Sequence, residues 1–360
     1  MRSFHCSCGN TIYFENTQCV ACGLDVGWCP LCASMSGLIV DPGGVLRCGN
    51  ASCGAALVKC RNWAIEDVCN RAIALPAGGR AADALCDYCR FNHTIPDLSI
   101  PGNRGKWYRL ERAKRRLLYT LDLLRLPYGA AADGFTPSLC FSFKADTAPS
   151  GAHWSVLGLD ERVLTGHFDG KITINIREAD PVERERARVR FGEVRRTLIG
   201  HFRHEIAHYY WELLVRNRRE DDCRRVFDDH DLVRYTDALA RYYRDGPPAD
   251  WQRTFISSYA SAHPWEDFAE TFATWLDLVS VLDTAKNLGL TISPTRPTNE
   301  FDDLLARYQR LGVVLNEMNR AMGNVDLVPE IFVPRAIEKL RFVHDLVRSA
   351  ARPAGSRRPV

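Results

Sequence analysis

His204, Glu205 and His208 stand in the run His204-Glu205-Ile206-Ala207-His208, inside a stretch from Phe202 to Val215 without Pro or Gly. Residues four apart share one face of a helix, so both imidazoles can bind one ion while Glu205 projects beside the position left open. Zinc held by three protein ligands keeps a water, lowers its pKa towards about 7 and polarises a carbonyl, while a neighbouring carboxylate takes the water's proton. The chemistry these residues imply is metal-assisted hydrolysis with Glu205 as general base.

A third ligand has to come from a second helix, and the segment His263-Pro264-Trp265-Glu266-Asp267-Phe268-Ala269-Glu270 offers one. Pro264 suits a first helical turn, and Phe268, Phe272, Trp275 and Leu276 give an apolar face for packing against the first helix. Glu266 is assigned to the metal, with Asp267, His263 and Glu270 as the alternatives. Glu270, four residues on and on the same face, fits the acceptor of a ligand histidine's free ring N–H. His201, three before His204, reads as a neighbour of the site or a surface residue rather than a ligand. His167 in Gly166-His167-Phe168-Asp169-Gly170 reads as a turn residue.

Twelve of the fourteen cysteines fall between Cys6 and Cys89. No apolar export segment is visible at the start, so a cytoplasmic protein with metal-bound thiolates is expected rather than a disulfide framework. Cys6, Cys8, Cys19 and Cys22 form the first quartet, with Gly9 and Gly23 placed to allow tight knuckles around sulfur. Cys29, Cys32, Cys48 and Cys53 form the second, and Cys60, Cys69, Cys86 and Cys89 the third. Exchange of Cys48, Cys53 or Cys60 between neighbouring quartets stays open. Cys140 and Cys223 stand apart and read as small buried hydrophobes. The expected metals are therefore about three structural zinc ions and one catalytic zinc.

The elements that must position these groups follow from periodicity. Lys106 to Leu126 alternates apolar and basic positions at helical spacing. Short β-like runs follow at Leu139 to Phe143, Ser155 to Leu159 and Lys171 to Ile176, which predict a small twisted sheet. Helical patterns cover about Val182 to Arg216, Asp229 to Tyr243, Pro264 to Lys286 and Glu300 to Met322. The fold class is α+β: a loop- and hairpin-rich multi-zinc ribbon domain over residues 1–100, a zincin-like domain of packed helices and a small sheet over 101–350, and a disordered tail, 351–360.

Composition narrows the function. The net charge is +3, and over residues 1–105 eight Lys/Arg balance eight Asp/Glu, which argues against nucleic acid as the partner of the ribbons. No run of eighteen apolar residues is present, so no membrane span is expected.

His-Glu-x-x-His with a downstream Glu-Asp-Phe-Ala-Glu helix resembles the gluzincin class. A Tyr seven residues before the first Glu is similar to the lethal-factor-type toxin proteases, and that likeness gives Tyr259 the role of stabilising the oxyanion. The bland role for Tyr259 is a half-buried packing tyrosine. More closely, the chain resembles a bacterial family of zinc-binding metallopeptidases with an N-terminal zinc-ribbon domain. The matching segments are F-H-C-S-C-G, F-N-H-T-I-P-D-L-S, T-G-H-F-D-G-K-I-T-I-N-I-R-E-A-D, G-H-F-R-H-E-I-A-H-Y-Y-W and Y-A-S-A-H-P-W-E-D-F-A-E, spanning roughly residues 3 to 347. The resemblance implies a peptide or protein substrate, and an edge strand at Lys171 to Ile176 that pairs with it. It also makes the middle quartet look like an insertion. The competing reading is a non-catalytic adaptor or regulator that binds a protein partner through its ribbons.

Overall fold

The structure, a computed structural model, describes residues 1–75, 84–146, 163, 165–191, 197–290 and 299–353. The chain divides into two compact units, for the most part Met1–Leu118 with Leu139–Gly192, and Tyr119–Ser138 with Glu193–Arg357.

The first unit begins with a two-stranded antiparallel pair, β1 (Ser3–His5) and β2 (Thr11–Tyr13). A five-stranded antiparallel meander follows: β3 (Val26–Cys29), β4 (Ser34–Val40), β5 (Leu46–Cys48), β6 (Ala56–Lys59) and, after the short helix α1 (Arg61–Ala64), β7 (Ala72–Ala74). Strands this short cannot bury enough apolar surface to fold unaided, and metal sites are the usual supplement. A small aromatic core assists, with Phe4 and Phe14 set edge-on to Trp28 at 6.1 and 5.8 Å. Arg71, almost fully buried, makes a two-pronged ion pair with Asp87 at 2.7 and 2.6 Å and lies over the Tyr88 ring.

Strand β8 (Asn92–Thr94) leads into helix α2 (Asn103–Leu123), and then come β9 (Cys140–Lys144), β10 (Gly166–Phe168), β11 (Lys171–Asn175) and helix α3 (Pro181–Phe191). The sheet order is β10-β11-β9-β8, with β9 parallel to both β8 and β11. The stretch expected to be an edge strand, Lys171 to Ile176, is corrected by this pairing. β11 is hydrogen-bonded to β9 on one side and to β10 on the other, so the outer strand among the described residues is β10. Alternation of buried Ile172 and Ile174 revealed the strand but not its neighbours, because Phe141 and Phe143 of β9, which share the buried layer, lie some thirty residues earlier. His167 closes the β10–β11 turn, its Nε2 accepting from the Gly170 N–H at 3.0 Å. Beneath β8, Lys114 of α2 is wholly buried. Its Nζ donates to Asn92 Oδ1 and, at 2.9 to 3.0 Å, to Glu111, which also accepts from Trp107 Nε1.

The second unit is helical. It contains α4 (Leu198–Tyr210), ending in a π-helical turn over Trp211–Val215, then α5 (Glu220–Phe227), α6 (Tyr235–Asp245), α7 (Pro264–Asn287), α8 (Glu300–Ala321) and α9 (Pro334–Ala350). The α4 and α7 helices pack against each other, with the Tyr210 and Phe272 rings stacked at 5.3 Å and Ile206, Ala207 and Phe268 fully buried. Helix α9 had no counterpart in the sequence expectations. Its buried face carries Lys339 and His344 among Ala336, Leu340, Val343 and Val347, and these polar residues interrupt the apolar stripe by which such helices are recognised. The expected strand Ser155 to Leu159 and the tail beyond residue 353 lie outside the described residues. Among the described residues no helix is long and apolar enough to cross a membrane.

Candidate metal centres

Helix α4 starts at Thr197, whose hydroxyl accepts from the Gly200 N–H at 3.0 Å and so satisfies one of the free donors of the first turn. Phe202, Ile206 and Tyr209 turn into the core, which leaves His204 and His208 side by side on the flank that meets α7, their rings 4.8 Å apart. Helix α7 starts at His263, whose Nδ1 accepts from the Trp265 N–H at 3.1 Å, with Pro264 in the first turn. The other nitrogen of His263 donates to the Val233 carbonyl at 3.2 Å, and burial holds its pKa below the usual value. Asp267 is engaged by Lys339 at 2.5 Å. Both side chains are thus committed elsewhere; of the two remaining α7 carboxylates, Glu270 meets His204 at Nδ1, and Glu266 is the one that faces the Nε2 atoms of both histidines.

His204 Nε2 lies 3.2 Å from His208 Nε2 and 2.9 Å from Glu266 Oε2, and His208 Nε2 lies 3.7 Å from that oxygen. Ligands about 2.0–2.1 Å from a tetrahedral zinc ion stand about 3.3–3.4 Å from one another, so these separations bracket the edges of such a site. Glu266 is almost fully buried, and apart from the two imidazole nitrogens its Oε2 has no hydrogen-bond partner. A buried carboxylate oxygen aimed between two imidazoles and otherwise unsatisfied fits a bound cation. Glu205 is buried beside the same face, and its Oε2 likewise has no hydrogen-bond partner. Burial pushes its carboxyl above the ordinary range, against the pull of His204 and His208.

Around this trio lies a set of hydrogen bonds. His204 Nδ1 meets Glu270 Oε1 at 2.7 Å, which fixes the ring so that Nε2 faces Glu266, and Ser257 donates to Glu270 Oε2 at 2.7 Å. Tyr235, which the sequence reading did not single out, donates from its hydroxyl to Glu266 Oε1 at 2.5 Å. Its distance from Glu266 in the chain, thirty-one residues, belongs to no motif. The Tyr259 ring is 5.9 Å from that of His204 and 5.7 Å from that of Tyr242. Burial, reinforced by Glu266, pushes the Tyr259 phenol well above its usual pKa, so it is a donor rather than a phenolate. His201 is half-buried and outside the donor cluster.

The cysteines gather in three further clusters: Cys6, Cys8, Cys19 and Cys22; Cys29, Cys32, Cys48 and Cys53; Cys60, Cys69, Cys86 and Cys89. No ligand is exchanged between quartets. The Sγ separations are 3.7 Å for Cys6–Cys22 and Cys8–Cys19, and 3.8 Å for Cys29–Cys53, Cys32–Cys48 and Cys69–Cys86. Four sulfurs about 2.3 Å from a tetrahedral zinc lie about 3.8 Å apart, so all three sites have the dimensions of the metal, not those of a disulfide. Gly9 and Gly23 adopt φ of +87° and +74°, the left-handed turn that brings the chain back around sulfur. The middle quartet is built into the meander, with Cys29 on β3 and Cys48 on β5, and Ser36 Oγ lies 3.2 Å from Cys48 Sγ. Cys223 is buried, whereas Cys140 on β9 is only half-buried.

A cysteine-rich ribbon region is followed by a helical domain that carries the His204-Glu205-Ile206-Ala207-His208 helix. Residues 103–346 match the family described as "Putative zinc-binding metallo-peptidase", and the chain belongs to that family; residues 3–100 match a zinc-ribbon domain. Uncharacterized proteins of Mycobacterium tuberculosis and Mycobacterium bovis are 37% identical to it over 372 residues, covering 100% of this chain and 100% of each relative. No solved structure matches the chain. Strand β8, within the ribbon match, pairs with β9 of the peptidase match, so the ribbon region contributes a strand to the four-stranded sheet.

Proposed function

We propose that this chain hydrolyses peptide bonds as a gluzincin-like enzyme, with His204, His208 and Glu266 holding the catalytic zinc and Glu205 acting as general base. One observation carries the reading: the separations of the two imidazole nitrogens and the buried Glu266 oxygen bracket the edge length of a tetrahedral zinc site, with the Glu205 carboxylate beside them. When bound, zinc supplies Lewis acidity, acidifying water and polarising the scissile carbonyl. Glu205 takes the proton from the attacking water and returns it to the leaving amine. Glu270, held by Ser257, fixes the tautomer of His204. Tyr259 donates to the oxygen that becomes anionic during attack.

Three structural zinc ions in the cysteine quartets complete a set of about four. Twelve clustered thiolates suit the reducing cytoplasm. The ribbons present exposed Val20 and Leu31 at their knuckle tips on a segment without net charge, which favours a protein partner or the substrate itself. Capture of bound proteins by zinc-loaded Glu205→Gln, followed by incubation of the captured proteins with the wild type, tests the reading. Cleavage of captured proteins supports it, whereas stable binding without cleavage by the wild type favours the adaptor.

A further inference from the structure

The two oxygens of Glu266 have different surroundings. Oε2 faces both histidines and has no hydrogen-bond partner besides them, while Oε1 accepts the Tyr235 hydroxyl at 2.5 Å. We infer that Tyr235 is a positioning residue for the third metal ligand: by engaging Oε1 it turns Oε2 alone towards the ion. This rests on the metal assignment above and extends it. A carboxylate with both oxygens free can bind zinc through the pair, which raises the coordination number and crowds the position that water and substrate must share. A short bond from a neutral hydroxyl to an ionised carboxylate is strong enough to hold one orientation.

The way Tyr235 is held supports the inference. It is the first residue of α6, and its ring packs edge-on against His263 at 5.2 Å and Trp265 at 5.4 Å, the residues that open α7. His263 Nε2 also donates to the Val233 carbonyl, two residues before Tyr235. The histidine considered from the sequence as a metal ligand therefore acts as a latch, fixing the backbone from which Tyr235 reaches Glu266. Trp265 also packs against His208, at 4.0 Å between ring centroids. The first turn of α7 thus orders a ligand histidine and the hydroxyl on the ligand carboxylate together. Tyr259 differs, because its hydroxyl hydrogen-bonds with Tyr243, and Glu266 acts on it only through its charge.

Tyr235→Phe removes the hydroxyl and keeps the ring that packs on His263 and Trp265. Zinc affinity of the site formed by His204, His208 and Glu266, measured by competition with a chromophoric chelator, should fall by about 10-fold to 100-fold. With Co²⁺ in that site the visible absorption should weaken as the carboxylate binds through both oxygens. Tyr259→Phe should keep the wild-type affinity and spectrum. A Tyr235→Phe protein with wild-type affinity and spectrum would overturn the inference and leave the metal assignment standing. A wild-type protein with no labile metal beyond the thiolate sites would overturn the assignment and the inference together.

Discussion

Asp267 and Lys339 form an ion pair at 2.5 Å in which both side chains are almost wholly buried. Lys339 also donates to the Thr254 carbonyl at 3.1 Å, three residues before Ser257. The pair therefore ties α9 to the first turn of α7 and to the loop that supports Glu270. Burial already pushes the Asp267 carboxyl up to about 7 against the pull of Lys339, so without the lysine it must take up a proton or stand as a lone buried charge, and Lys339→Met should cost about 3–5 kcal/mol of stability. Combining it with Asp267→Leu should recover most of that loss. Urea unfolding of the zinc-loaded proteins decides it, and a single variant as stable as the wild type would show that the pair is not buried in this way.

Gly37 of β4 lies against the first cysteine quartet, where an added Cβ would sit 2.8 Å from Cys6 Sγ. The sulfur cannot retreat without leaving its site. Gly37→Ala should displace Cys6 and lower bound zinc by about one ion per chain, while the other quartets keep theirs. Full zinc content in the alanine variant would contradict the packing of β4 on that site.

The quartets differ in burial, and their lability should follow. Cys8 and Cys22 are exposed, whereas all four thiols of the third quartet are buried. Elemental analysis of metal-replete protein should give about four zinc ions per chain. A thiol-modifying reagent should release the first quartet's zinc earliest and the third quartet's last. A total near two would remove the middle quartet or another from the account, and simultaneous release of all zinc would contradict the ranking by burial.

What could be read from the sequence was what is local. His204, Glu205 and His208 declare themselves by spacing on one helix, and Glu266 and Glu270 by their place opposite the apolar positions Phe268 and Phe272. The cysteine quartets were recognisable because knuckle spacing is a property of a few consecutive residues. Long-range partners were not. Nothing in the neighbourhood of Asp267 announces a lysine seventy-two residues later, and nothing marks Tyr235 as the hydroxyl for Glu266. The role of His263 was hidden for another reason: a histidine beside two carboxylates looks like a ligand, but its Nδ1 caps α7. Placement of Lys171 to Ile176 within its sheet depended on parallel pairing with β9, which alternation along one strand does not encode.

Tyr259 carries the oxyanion role in the proposed mechanism. Tyr259→Phe keeps the ring and removes the donor, so kcat on a cleaved substrate should fall by roughly 100-fold to 1,000-fold with KM and thermal stability little changed. An unchanged kcat in a zinc-loaded variant would make Tyr259 a packing residue and place the oxyanion donor elsewhere.

The central claim is that Glu205 activates water at a metal it does not bind. The direct test compares wild type and Glu205→Gln, both with metal content verified, on a proteome-derived peptide library read by mass spectrometry. The account predicts zinc-dependent cleavage by the wild type and none by Glu205→Gln, although both hold the same number of zinc ions. Equal cleavage by the two proteins, or no cleavage of any peptide by the zinc-replete wild type, would contradict it.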